Sequence, residues 1–280
     1  MSGPDQNASV GTRRYTRAFS TLGCPQCSLT DAFALATRHG IGAVELRALG
    51  GSLHLPGYFA EAGGTPAELA EMVRGSGMRI VAIDTNLRLV GGTAADREKF
   101  LEFLPWAETL GVRRLRVFDG GETAGEAELA EAAATVHWWR ELRAAKGWQA
   151  DIMVETHDSL LRAALIQGFV EAVPDTAVLW DAFNTWIKSG EDPVRTWRAI
   201  SRCVPAVSHI HVKDGARIPR GNYSFTAMLP GSGEFPMARL LPELRAGFDG
   251  ILSLEWEKLW HPYLPSLDEA LRVATERDWW

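Results

Sequence analysis

At 280 residues, with 46% hydrophobic and 23% charged side chains, the chain is long enough to bury a large core and has the balance of a globular protein. Its formal net charge is −6, with Lys and Arg scattered among acids, which argues against nucleic acid as a partner because phosphate-tracking surfaces need a basic stripe. No run of about 18 apolar residues occurs, so no helical membrane span is expected.

The first residues, Met1 to about Arg14, are polar and contain Gly3, Pro4 and Gly11. They read as a disordered tail over 1–14, ahead of a single catalytic domain over 15–280. No apolar stretch follows Arg13-Arg14, so no signal peptide is expected. The three cysteines form no dense pattern, which suits a reducing cytoplasm. Cys24-Pro25-Gln26-Cys27 lacks the second pair that a zinc ribbon needs and is expected to be two loop thiols with no role.

From Ala18 onward one unit recurs: a short apolar strand, a polar loop, then an amphipathic helix. The first strand, Ala18 to Leu22, precedes the hydroxyl caps around Ser28 and Thr30 and a helix that stops at Gly40. The second, Ala43 to Arg47, leads through a Gly-rich loop past Gly57 to a helix from Thr65-Pro66 to Gly77, where Pro suits the first helical position. The third, Arg79 to Asp84, precedes one helix over about 94–110, ended by Gly111. The fourth, Arg114 to Asp119, runs through Gly120-Gly121 into a long helix, Gly125 to about Lys146. The fifth ends at Glu155, with a helix from Leu160 to about Val173; the sixth ends at Asp181, with a helix after Pro193. In the seventh, Ser208 to Val212, polar and apolar residues alternate, so His209 and His211 point the same way. A long loop, Gly215 to Gly233, a helix from about Met237 to Ala246, an eighth strand ending at Glu255 and a last helix over 265–277 complete the chain.

Eight strand and helix units imply right-handed parallel crossovers and closure into an α/β fold, the (β/α)8 TIM barrel. Closure puts all strand C-termini on one rim, where such barrels hold their sites. Four of the last strands end in a metal-competent side chain: Glu155, Asp181, His211 and Glu255. Three carboxylates and one imidazole suit Mn²⁺ first, with Co²⁺, Mg²⁺ or Fe²⁺ compatible, better than a structural zinc. One divalent ion would also relieve the repulsion among the acids. Polar residues at other strand ends, Arg47, Asp84, Arg116, His157, His209 and Lys213, are candidates to bind substrate. Arg47 and Arg116 would grip oxygens or a phosphate, or else pair with Glu45 or Asp119; Lys213 would form a salt bridge with Asp214. Of the eleven tryptophans, Trp180, Trp186, Trp256 and Trp260 fall where an indole could stack on a sugar ring. The terminal Trp279-Trp280 is expected to dock on the barrel or on a second subunit.

Glu155, Trp180-Asp181, His209-Ile210-His211, the Gly231-Ser232-Gly233 loop and Glu255 together resemble the xylose isomerase-like sugar phosphate isomerase/epimerase superfamily, over roughly Ala18 to Trp280. That resemblance implies that Glu155, Asp181, His211 and Glu255 are the metal ligands. It also implies that the glutamates matching Glu155 and Glu255 move protons on opposite faces of a sugar, next to its carbonyl, with the enediolate held by the ion. Many relatives have a His three residues after the sixth-strand Asp, where this chain has Asn184; an amide can donate a hydrogen bond but cannot titrate. The expectation is therefore a metal-dependent isomerase or epimerase of carbohydrate metabolism acting on a small sugar or sugar derivative. A lyase expelling a group from a keto sugar or oxidised glycoside is one alternative, and a non-catalytic sugar- or partner-binding barrel is another. Zn²⁺ is also compatible with the site, and a homodimer is the default assembly.

Overall fold

Each strand pairs in parallel with the next until the sheet meets itself. In the computed structural model, which describes residues 14–203 and 206–280, β1 (Thr16–Ser20), β2 (Ala43–Leu46), β3 (Arg79–Val90), β4 (Arg114–Gly120), β5 (Asp151–Glu155), β6 (Ala177–Asp181) and β7 (Val207–Val212) run in chain order around a barrel. An antiparallel ribbon of β8 (Asp214–Ala216) and β9 (Thr226–Met228) follows, and β10 (Ile251–Leu254) pairs with β7 and β1 to close the ring. The tail expected over the first 14 residues lies, up to residue 13, outside the described residues.

The helices are α1 (Leu29–Arg38), α2 (Leu55–Gly63), α3 (Pro66–Ser76), α4 (Ala94–Leu101), α5 (Leu104–Leu110), α6 (Glu126–Lys146), α7 (Ala163–Ala172), α8 (Ala182–Ser189), α9 (Pro193–Ile200), α10 (Met237–Gly247) and α11 (Leu267–Glu276). Capping boxes start three of them, at Ser28, Thr65 and Thr93, each contributing about 1 kcal/mol of helix stability. No helix of the described residues is long and apolar enough to cross a membrane.

Besides β3, which runs on past Asp84 to Val90, four segments differ from the sequence reading. The Gly-rich loop after β2 holds α2, because Leu55 and Phe59, four residues apart, bury one helical face and Pro56 starts it. The helix expected over 94–110 is two, α4 and α5; Pro105 has no N–H to continue the first and sits in the first turn of the second. The stretch after Asp181 is helical at once, since the Asp181 carboxylate accepts the Asn184 N–H and caps α8. The long loop after Asp214 contains the β8–β9 ribbon.

The Gly231-Ser232-Gly233 loop ties that ribbon down. The Asp214 carboxylate accepts the N–H groups of Gly215, Gly231, Gly233 and Phe235 at 2.8–3.2 Å. A Cβ at position 233 would lie 2.3 Å from Asp214 Oδ1, so only glycine permits this approach. Trp279 and Trp280 are buried against the barrel, with the Arg17 guanidinium 5.4 Å from the Trp280 ring. Trp139, inside α6, stacks on Trp148 and packs in the core.

The barrel interior is layered. Ala82, Met153, Ala177 and Leu179 form a small apolar cluster apart from the main core. Side chains two apart on a strand share a face, so Glu155 and Asp181 rise one layer above Met153 and Leu179. The charged site stands on this apolar floor.

Candidate metal centre

At the C-terminal rim, β5, β6, β7 and β10 bring Glu155, Asp181, His211 and Glu255 together, all buried, with one ligand atom from each within 4.8 Å of all the others. His211 Nδ1 lies 3.5 Å from both Glu155 Oε1 and Glu255 Oε2. Ligands bonded to one ion at about 2.1 Å in tetrahedral array stand about 3.4 Å apart, so this spacing needs little adjustment to share a cation.

The orientation of His211 is set from β2. Glu45 Oε1 meets His211 Nε2 at 2.7 Å, and Glu45 Oε2 meets His209 Nε2 at 2.6 Å, all three residues being buried. An ionised carboxylate only accepts, so His211 Nε2 carries a proton and Nδ1 is turned toward the other acids. Nδ1 has no hydrogen-bond partner of its own, an orphaned buried atom where a metal would bind. Glu45 was not singled out in the sequence, where it reads as a partner for Arg47. Glu45, His209 and His211 also form a cluster with metal-competent spacing, in which His211 Nε2 is bonded to Glu45 Oε1 while His209 Nε2 and Glu45 Oε2, 2.6 Å apart, make no aligned hydrogen bond.

Charge balance explains the ionisation. Burial works to raise Glu155, but the Arg116 guanidinium at 3.1 Å and His211 outweigh it and hold the carboxyl down to about 2. Burial likewise opposes ionisation of Glu255, and Lys213 and His211 drive it well below the usual range. Asp181 is raised, by burial first and then by Glu255 and Glu155, against the pull of Lys213. His211 sits well above its usual value: burial disfavours its charge, but Glu45 and Glu255 more than compensate. Ion binding would therefore displace its Nδ1 proton.

Lys213 does not pair with Asp214. Its ammonium lies 2.8 Å from Asp181 Oδ2, 2.5 Å from Glu255 Oε2 and 2.8 Å from Glu257 Oε1. Neighbouring strand residues point to opposite faces, so Lys213 turns into the barrel while Asp214 holds the Gly231 loop.

A cavity of about 490 Å³ opens over the cluster, lined by Glu155, Glu255, Arg47, Arg116, His157 and Asn184 among others. Of the residues expected to bind substrate, Asp84, His209, Lys213 and Trp256 do not line it. Asp84 is fully buried beneath Arg116, His209 is held by Glu45, and the Trp256 indole donates to the Pro265 carbonyl inside the wall. Trp260, four residues on, faces the cavity instead. Trp180 is also internal, stacked on Trp197, and Trp186 is buried under the Arg217 guanidinium. Arg47 pairs with neither Glu45 nor an acid; its Nη2 donates to Asn86 Oδ1. Asp119 accepts N–H groups from Asp158, Ser159 and Leu160, and so positions the loop that carries His157.

The chain matches the family described as Xylose isomerase-like TIM barrel over residues 33–279, and it belongs to that family. No curated protein matches it. Solved structures share the fold. The probable 3-DHS dehydratase AsbF involved in petrobactin synthesis from Bacillus anthracis is 20% identical over 94% of this chain and 99% of its own, with a TM-score of 0.74. The IOLI protein with a bound zinc atom is 14% identical over 94% and 96%, with a TM-score of 0.72. A D-tagatose 3-epimerase-like protein is 15% identical over 94% and 96%, with a TM-score of 0.66.

Proposed function

We propose that this protein is a metal-dependent isomerase or epimerase of a small carbohydrate, working by proton transfer at the carbon next to a carbonyl. The observation that carries the reading is the convergence of Glu155, Asp181, Glu255 and the orphaned His211 Nδ1 on one point beneath the cavity. Three oxygens and one nitrogen fit a divalent cation such as Mn²⁺. When bound, the cation would act as a Lewis acid on substrate oxygens, lowering the cost of removing the neighbouring proton.

The chain's own residues do the rest. Glu155 and Glu255 both line the cavity, and two cations hold both ionised: Arg116 on β4 beside the first, Lys213 just past β7 beside the second. Either can take the proton and the other return one, inverting the carbon or passing the proton to its neighbour. Asn184 offers a neutral amide to a substrate oxygen, and the aromatic wall with Trp260 shields the reacting carbon from water.

A second reading, elimination of a group β to the carbonyl, draws on His157. Asn184 cannot titrate, but the His157 imidazole lines the same cavity, is held at Nδ1 by Asp158 at 2.7 Å, and can protonate a leaving group. The test is incubation of metal-loaded protein with a panel of ketoses and keto acids in D₂O. Deuterium entering next to the carbonyl without loss of a group supports isomerisation or epimerisation; release of a group supports elimination. Binding without exchange for the whole panel would leave a binding barrel and overturn both.

A further inference from the structure

The two cavity arginines are not equivalent. Arg116 is neutralised: its Nε lies 3.1 Å from Glu155, its Nη2 3.5 Å from Asp84, and its Nη1 donates to the Thr85 carbonyl at 2.9 Å. Arg47 is 5% exposed and has only an uncharged partner, Asn86 Oδ1 at 2.8 Å from Nη2. Its Nη1 is buried with no hydrogen-bond partner, and Asp84, Glu155 and Glu255 act on it only as neighbouring charges.

A buried, always charged guanidinium is costly without a counter-ion. Burial first and then the nearby Arg116 pull Arg47 down to about 10, against a weaker opposing pull from Asp84, Glu155 and Glu255, none of which pairs with it. The acids of the same cavity are committed elsewhere: Glu155 to Arg116, and Glu255 and Glu257 to Lys213. Arg47 therefore lines the cavity without a carboxylate paired to it, Asp84, Glu155 and Glu255 acting on it only from a distance.

We propose that Arg47 is the anion subsite of this pocket and takes a carboxylate carried by the substrate, so that the natural ligand is a sugar acid or keto acid and not a neutral sugar. This rests on the catalytic reading above only in placing the substrate in the same cavity. The planar fork of one guanidinium matches a carboxylate. A phosphate would call for several donors, and of the cations lining the cavity Arg116 is already paired with Glu155 and Lys188 donates to the His157 carbonyl.

The test measures binding by calorimetry and melting temperature, on metal-loaded and on chelator-treated protein, with D-gluconate and 2-keto-D-gluconate against D-glucitol and D-fructose, and with inorganic phosphate and D-fructose 6-phosphate as a third arm. Carboxylates should bind at least tenfold more tightly than the neutral compounds. Arg47→Met should abolish that preference while leaving the ligand-free melting temperature equal or higher, because an uncompensated buried charge is removed; Arg47→Lys should retain part of it. A purely structural arginine would instead lower the melting temperature on substitution and leave the preference in place. Equal binding of neutral compounds, a preference surviving in Arg47→Met, no response to either carboxylate, or Arg47-dependent binding of the phosphates alone would each overturn the proposal. The metal-loaded arm separates the two readings: carboxylate preference there, with no deuterium exchange into the bound compounds in D₂O, would overturn the catalytic reading and leave the subsite standing.

Discussion

Glu45 reaches across the barrel from β2 to hold His211 on β7, its Oε1 2.7 Å from His211 Nε2, while Oε2 holds His209 at 2.6 Å. Its hydrogen bond to Nε2 fixes the His211 imidazole and aims Nδ1 at Glu155 and Glu255. Glu45→Gln keeps the volume but loses the obligatory acceptor, so the His211 ring is no longer held in one tautomer. Divalent-ion affinity should fall by about 10–100-fold with the fold retained. Calorimetric titration of Mn²⁺ into chelator-treated protein measures it; unchanged affinity would contradict the role given to Glu45.

Lys213 supplies the positive charge that Asp181, Glu255 and Glu257 share. Lys213→Met leaves three buried carboxylates without it, at a cost of about 3–5 kcal/mol in the metal-free protein. Urea unfolding should show a smaller loss with saturating Mn²⁺, because the ion replaces part of the missing charge. An equal loss in both states would mean that the lysine and the ion site are independent.

Trp256 and Trp260 separate packing from binding. Trp256 is buried and bonded to the Pro265 carbonyl, so Trp256→Ala should cost about 3–5 kcal/mol. Trp260 is 42% exposed at the cavity mouth, and Trp260→Ala should stay within about 0.5 kcal/mol of the parent in stability while weakening ligand binding. Thermal unfolding and ligand titration on the two variants check this; the reverse pattern would misplace the wall.

Cys24 and Cys27 are free thiols at the mouth of α1, and their chemistry is unequal. The hydrogen bond from Cys24 lowers Cys27 to about 7, against burial and Asp31, while the same bond and burial push Cys24 up. The thiolate is the nucleophile, so iodoacetamide labelling of Cys27 should rise through pH 7 and level off above it, with Cys24 inert. Mass spectrometry of the labelled peptide reads the profile; a midpoint above pH 8.5 would contradict it.

The barrel and the four converging residues were legible because both follow from position: apolar runs of strand length recur eight times, and Glu155, Asp181 and Glu255 each end one. His211 was legible through the period of two, which sets it on the same face as His209. The same rule, applied to Lys213 and Asp214, would have shown that adjacent residues there point apart. Glu45 was hidden because its partners lie more than 160 residues away; its one local signal is a lone acid inside Ala43-Val44-Glu45-Leu46, a strand otherwise fully apolar. The separation of Trp256 from Trp260 depends on how the chain turns after β10, and α2 and α8 on packing that short amphipathic runs between Gly and Pro do not announce.

The account depends most on a single cation site, and anomalous diffraction from crystals of the protein grown with Mn²⁺ tests it directly. It predicts one peak per chain, about 2.0–2.3 Å from carboxylate oxygens of Glu155, Asp181 and Glu255 and from His211 Nδ1. No peak there, or a peak held instead by Glu45 and His209, would contradict it.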